Sequence, residues 1–239
     1  MSTNYTIGHL QSKLESAHLS SLPLLIILVL LATSILGLLW SSDRFVAGAA
    51  DIASAMGVSP LVIGLTLVSI GTSAPEILVS VTAALKGVSE LAVGNALGSN
   101  LANTGLVLAV TALIVSVPVS RGIFRRELAV MVAVTLCAGL VLHNGYLGRW
   151  ECVALVALVP VFLYIISRGG VAPDIIEDQN CNLSLPKAWL ILIVGLVGLI
   201  GFSDLLVRSA IETASRAGVS ELIIGATVVA VGTSLPELA

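Results

Sequence analysis

Two copies of one segment, 161 positions apart, constrain this chain more than anything else in it. Residues 42–78 align without a gap on 203–239, with 19 identities in 37 positions. The identities include Asp43/Asp204, Gly57-Val58-Ser59/Gly218-Val219-Ser220 and Gly64/Gly225. They end in Gly71-Thr72-Ser73-Ala74-Pro75-Glu76 against Gly232-Thr233-Ser234-Leu235-Pro236-Glu237. A match of this length is a duplication, so each half must be read as a copy of one structural unit.

What lies between the copies is apolar. Hydrophobic residues make up 57% of the chain and charged ones 10%, with mean hydropathy +1.07, against about 25% charged in an ordinary soluble domain. The chain is therefore expected to be an integral membrane protein, all α, immersed in a lipid bilayer. About 20 apolar residues cross a membrane as a helix. Runs at 22–40, 59–85, 90–117, 128–142, 150–166, 188–211 and 220–239 predict seven spans. Five spans separate equivalent positions. An odd number forces the two copies to enter the membrane from opposite sides, the inverted repeat of secondary transporters.

The expected organisation is an N-terminal polar tail over 1–21, a first five-helix repeat over 22–166, a cytoplasmic loop over 167–187 and the start of a second, truncated repeat over 188–239. The run 22–40 is not a signal peptide, because Gly37-Leu38 and Asp43 recur as Gly198-Leu199 and Asp204 in mid-chain. The last run stops at Ala239 without a polar flank, so the chain reads as cut inside a span, with seven of ten helices present. Arg121, Arg125 and Arg126 form the one basic cluster in a short loop. The positive-inside rule then puts that loop in the cytoplasm and the N-terminus outside. Net charge −3 without a basic patch suggests no nucleic-acid partner. Cys137, Cys152 and Cys181 suggest neither a disulfide nor a thiolate metal site, and His9, His18 and His143 fall in the tail or a loop.

Carboxylates are costly inside a bilayer and survive mainly where a cavity or ligand compensates them. Glu76 and Glu237 are such residues. On a helix, Thr72, Ser73 and Glu76 share one face, with Ser69 a turn earlier; the second copy offers Thr233, Ser234 and Glu237, with Ala230 in place of Ser69. Pro75 and Pro236 cannot bond the carbonyls of Gly71 and Gly232, so a bend and freed carbonyl oxygens are expected. In the third span Asn95, Ser99 and Asn103 recur every fourth residue, Asn100 adds an amide, and Gly94 and Gly98 permit close backbone approach. Every candidate ligand is oxygen, which suits hard cations such as calcium. No phosphate loop, dinucleotide fingerprint or activated nucleophile is present, so neither an enzyme nor a bound cofactor is expected.

Gly71-Thr72-Ser73-Ala74-Pro75-Glu76 followed by Gly94-Asn95-Ala96-Leu97-Gly98-Ser99-Asn100 resembles the first alpha repeat of the calcium/cation antiporter superfamily, and 225–239 resembles the opening of the second. More narrowly the chain is similar to prokaryotic sodium/calcium exchangers and their potassium-dependent relatives. The resemblance implies ten helices in inverted halves of five, alternating access by a sliding helix pair, and residence in a prokaryotic inner membrane. It implies Glu76 and Glu237 as calcium ligands, with the carbonyls of Thr72 and Thr233. Ser73, Ser99, Asn103 and Ser234 would line sodium sites, and Ser69 and Ala230 would offer carbonyls.

Two departures qualify what the resemblance implies. The eighth span, with its second Gly-Ser-Asn element, does not follow Ala239. Gly98-Ser99-Asn100 stands where the cation/proton branch carries a second acid, which disfavours proton coupling. The expected function is calcium export in exchange for sodium, with calcium and sodium ions as the partners and no obligate protein partner. The rival readings are a proton- or potassium-coupled antiporter and a non-transporting membrane fragment. The nucleotide sequence beyond codon 239 separates the last of these.

Overall fold

The computed structural model describes residues 21–58, 69–116, 121–143, 145, 148–167 and 184–238. The tail up to residue 20, the opening of the second span, most of the 167–187 loop, Cys181, His9, His18 and Ala239 lie outside the described residues. Among the described residues all regular structure is helical. Contacts group the chain into two compact units, one of Met1–Ile114 with Ile175–Ala239 and one of Val115–Asp174.

Among the described residues the first unit holds α1 (Leu24–Ala55), α2 (Ser69–Thr72), α3 (Ala74–Leu85), α4 (Ser89–Ile114), α7 (Leu185–Ala217) and α8 (Glu221–Thr233). The second holds α5 (Arg121–Leu142) and α6 (Arg149–Ser167). In that unit Glu151 turns back to accept from the Gly148 amide at the start of α6. Helices α1, α4 and α7 are each long and apolar enough to cross a membrane. Leu85, Leu101, Leu113 and Trp150 are largely exposed, as expected of side chains that face lipid.

Helices α1 and α7 outrun the apolar runs that announced them. The runs 22–40 and 188–211 end at polar residues, yet α1 continues through Ser41-Ser42-Asp43-Arg44 to Ala55 and α7 continues to Ala217. Their ends are set by glycine, not by polarity. Gly57 and Gly218, repeat-mates, both take positive φ (79° and 67°). The next amides reach back, Val58 to the Ala53 carbonyl at 3.0 Å and Val219 to that of Ala214 at 3.1 Å. This Schellman closure satisfies carbonyls that a helix end leaves open. At 1.5 Å per residue each helix is about 48 Å long, well beyond an apolar core of about 30 Å.

The two long helices pack on one another along a seam of small residues. Gly37 lies against Phe202, Gly198 against Ser41 and Gly195 against the Phe45 backbone, so α7 runs backward along α1. A Cβ at Gly48 would stand 2.6 Å from the Leu192 amide, and one at Gly195 2.5 Å from that of Phe45. With the 161-residue offset, the crossing centres on Leu39 and its mate Ile200. Antiparallel mates crossing at their own midpoint are what an inverted duplication requires. Leu38, Leu199, Leu206 and Val207 fill the core beside the seam.

The proline motif breaks the second span instead of bending it. Helix α2 ends at Thr72, and α3 starts at Ala74 with Pro75 in its first turn, where a missing N–H costs nothing. The Gly71 carbonyl that proline frees is not left open, because Ser42 of α1 donates to it at 3.0 Å. In the second copy α8 ends at Thr233, and Pro236–Leu238 forms a short 3₁₀ turn.

Candidate functional site

Helices α4 and α8 approach closely enough to bring the two motifs together. A Cβ at Gly98 would lie 2.5 Å from the Ala226 carbonyl oxygen, and one at Gly225 2.6 Å from that of Leu91. Only glycine at these positions lets the backbones touch. Both helices also carry a π-helical turn, Asn103–Val107 in α4 and Gly225–Val229 in α8. Such a turn inserts one extra residue and is frequent at functional sites.

The contact they create joins both copies. Asn95 is fully buried (0% exposed). Its amide donates to the Glu76 carbonyl at 3.1 Å and to Ser80 Oγ at 2.9 Å, and its Oδ1 accepts from Thr233 Oγ1 at 3.3 Å. Ser99 Oγ lies 3.4 Å from the same Thr233 hydroxyl. Asn95, singled out in the sequence for its helical face and not as an ion ligand, is thus the side chain that ties the first motif to the second.

The two breaks exchange hydrogen bonds. Ser234 donates to Glu76 Oε1 at 3.2 Å, and Ser73 donates to Glu237 Oε1 at 3.5 Å. Each serine of one copy thus holds the acid of the other, as a two-fold relation between the copies demands. Both acids are also placed at a helix start: Glu76 lies in the first turn of α3 and Glu237 in the turn after Pro236, where the backbone N–H groups favour an anion. The second oxygen of each acid is left over. Glu76 Oε2, Glu237 Oε2 and Asn103 Oδ1 are buried and receive no hydrogen bond among the described residues. Buried acceptors without a donor are rare and call for a ligand.

The remaining sequence-derived candidates divide by environment. Thr233 and Ser234 are buried, at 1% and 2% exposure, and Ser99 is nearly so. Thr72 closes α2 beside the first break. Ser69 opens α2, and its side chain lies outside the described residues. The Ala230 carbonyl already accepts from the Ser234 amide at 3.0 Å and the Thr233 hydroxyl at 3.3 Å. Asn100 leaves the set: it is exposed, and its amide bonds the Ala96 carbonyl of its own helix at 3.0 Å. It sits next to Ser99 on the helix, about 100° around the axis, and so points off the buried stripe.

A repeat-related pair of broken helices whose serines and acids answer each other, beside an antiparallel pair of long helices, defines the inverted-repeat exchanger fold. The sequence model of the sodium/calcium exchanger protein family matches residues 26–168 and 187–239, and the chain belongs to that family. CaxA of Alkalimonas amylolytica, named as a candidate antiporter, is 43% identical over 210 residues, 84% of this chain and 66% of that one. The inner membrane protein YrbG of Escherichia coli is 40% identical over 227 residues, 88% of this chain and 70% of that one. A solved structure of the sodium-calcium exchanger NCX_Mj, soaked with sodium and strontium, superposes with TM-score 0.55 at 32% identity, covering 90% of this chain and 71% of that one. The chain thus spans about two thirds of the length of these relatives.

The reciprocal serine contacts carry a prediction. Ser73→Ala and Ser234→Ala each remove one donor to a carboxylate, an interaction worth about 1.5 kcal/mol or somewhat more. If the acids hold calcium, as proposed below, the half-saturating calcium concentration should rise about tenfold in either variant, since 1.4 kcal/mol is one decade. Calcium-45 binding titrations of the purified variants check this. A half-saturation unchanged in both would remove the serines from the site.

Proposed function

We propose that this chain carries the ion site of a secondary antiporter that exchanges calcium for sodium across a membrane. One observation carries the reading: two carboxylates from opposite copies meet at the breaks, each with one buried oxygen that no donor among the described residues satisfies. Neither acid forms an ion pair with a Lys or Arg among the described residues. Two such charges in an apolar protein ask for a cation, and oxygen ligands suit calcium or sodium.

In this reading Glu76 and Glu237 bind calcium with the carbonyls of Thr72 and Thr233, while Ser73, Ser99, Asn103 and Ser234 face sodium ions. The carbonyls of Ser69 and Ala230 complete the sodium ligands. Calcium and sodium compete for the same two acids. That competition is what exchange requires, because one site cannot carry both at once. The printed names of relatives agree: MaX1 of Methanosarcina acetivorans, 27% identical over 251 residues, is named a sodium/calcium exchanger. The protein would lie in a prokaryotic inner membrane with its N-terminus outside, and the transported ions are its substrates, not resident cofactors.

The test uses the full reading frame that contains this chain, reconstituted into proteoliposomes. An outward sodium gradient should drive calcium-45 uptake well above the rate with sodium equal on both sides. A proton or potassium gradient should not replace it. Uptake that follows a pH gradient and ignores sodium would overturn sodium coupling in favour of proton coupling.

A further inference from the structure

Side chains from three helices form one continuous hydrogen-bond chain beside the two breaks. Ser80 lies on α3, Asn95 and Ser99 on α4, and Thr233 closes α8. Asn95 Nδ2 donates to the Glu76 carbonyl at 3.1 Å and to Ser80 Oγ at 2.9 Å, and Ser80 in turn donates to the Ala92 carbonyl at 3.4 Å. At the other end of the amide, Asn95 Oδ1 lies 3.3 Å from Thr233 Oγ1, which lies 3.4 Å from Ser99 Oγ. Asn95, Thr233 and Ser99 are all buried. Asn103, one turn beyond Ser99 on the same stripe, keeps a buried Oδ1 with no donor among the described residues.

The surrounding carbonyls fix the sense of this chain. A backbone carbonyl only accepts, so the end of the Asn95 amide facing Glu76 is its nitrogen and the end facing Thr233 its oxygen. That oxygen also only accepts, as does the Ala230 carbonyl 3.3 Å from the same hydroxyl. Both therefore call on the one proton of Thr233. Had Thr233 donated to Ser99 instead, its lone pairs would face two bare oxygens in a buried site, where unmade hydrogen bonds are costly. Ser99 must then donate to Thr233. With every link pointing the same way, each polarises the next. The proton of Ser99 is committed inside the protein, and its lone pairs meet no donor among the described residues. It stands on one stripe with the bare Asn103 oxygen, and oxygens that only accept suit a hard cation.

We propose that Asn95 is a positioning residue for sodium: without touching an ion, its amide fixes the sense of the hydroxyl chain so that Ser99 offers lone pairs, and not a proton, to the cation. The proposal rests on the antiport reading, in which Ser99 and Asn103 face sodium. Calcium relies on the two carboxylates and on backbone carbonyls, whereas Ser99 serves sodium alone. Losing the sense of the chain therefore weakens sodium more than calcium.

The test is Asn95→Leu in the purified full reading frame, with bound calcium-45 displaced by sodium and calcium held at the half-saturation of each variant. Leucine keeps the branched shape and removes the amide, so Ser99 and Thr233 can turn either way. The sodium concentration that displaces half the calcium should rise about tenfold, while calcium half-saturation should change by less than about threefold. In a Ser99→Ala background, where no hydroxyl is left to orient, Asn95→Leu should raise the sodium requirement by less than about twofold. An unchanged sodium requirement, the same full loss in the Ser99→Ala background, or an equal loss of both ions overturns the positioning role and leaves the antiport reading standing. Thr233→Val and Thr233→Ser guard against an Asn95→Leu protein that fails to fold. Valine breaks the chain and should raise the sodium requirement about tenfold, whereas serine keeps the hydroxyl and should stay within about twofold of the parent. Two Thr233 variants that behave alike overturn the proposal. If sodium fails to displace calcium-45 from the parent protein, the antiport reading falls and the positioning role falls with it.

Discussion

Glu76→Gln in the full reading frame should reduce sodium-driven calcium-45 uptake to background. Glu76 and Glu237 supply the two negative charges at the meeting point of the copies, and each keeps one oxygen that no group among the described residues satisfies. A glutamine retains the shape and can still accept from Ser234, so the hydrogen bond at 3.2 Å survives in form. What is lost, in the antiport reading proposed above, is one of two charges that would face a divalent cation. Removing one partner of a buried charge pair costs about 3–5 kcal/mol, hence roughly a hundredfold to several thousandfold in calcium affinity at 1.4 kcal/mol per decade. Glu237→Gln should do the same, because the serine contacts make the acids equivalent. The double variant should cost less than the two singles added, since both act on one ion. The control is thermal unfolding of the purified variant in detergent without calcium, which should be unchanged or higher because an unneutralised pair has been relieved. Uptake by Glu76→Gln within threefold of the parent would remove Glu76 from the ion site.

Much of this arrangement is legible in the sequence because duplication converts a pattern into geometry. The 161-residue offset alone implies that α1 and α7 are mates, and an odd span count implies that they run in opposite senses, which the Gly37–Phe202 and Gly198–Ser41 contacts bear out. The pairing of proline and acid in each copy likewise points to Glu76 and Glu237. Other features are invisible at that level, each for a physical reason. Hydropathy reports where side chains meet lipid, so it stops at Trp40, whereas the helix stops where a glycine at position 57 can take positive φ. Helical spacing every fourth residue puts Asn95, Ser99 and Asn103 on one stripe. The ladder widens to a π-helical turn beginning at Asn103, and no residue type announces that. A proline marks a freed carbonyl but not its fate: Ser42, 29 residues away, takes that of Gly71. The Lys86–Asp204 pair is beyond sequence logic altogether. Asp43 and Asp204 are the same residue in the two copies, but Arg208, which pairs with Asp204, stands where the first copy has Ala47.

The close approach of α4 and α8 yields the second large effect, through a residue that touches no ion. Gly98→Val should separate the two helices and abolish exchange. A Cβ there would stand 2.5 Å from the Ala226 carbonyl oxygen, 2.6 Å from its Cα and 2.7 Å from the Ala230 Cβ. Two of those atoms are backbone within or beside the π-helical turn Gly225–Val229, and no rotamer moves them out of the way. The helices must part. Overpacking of this kind costs about 1–3 kcal/mol and sometimes more. The Ser99–Thr233 contact, already 3.4 Å, and the Asn95–Thr233 bond at 3.3 Å lie within a turn of the clash. Both pass beyond hydrogen-bond range with a shift of a few tenths of an ångström. The first motif then loses its tie to the second, and with it the placing of Glu76 opposite Glu237. Gly201→Ala is the matched control: it lies in α7 with no heavy atom within 4 Å of the added Cβ. Since alanine is the better helix former by about 0.5–1 kcal/mol, it should match or exceed the parent in thermal stability and retain exchange. Detergent melting curves and calcium-45 flux on both variants separate the outcomes. A Gly98→Val protein that melts with the parent and transports at its rate would show that α4 and α8 do not need to touch.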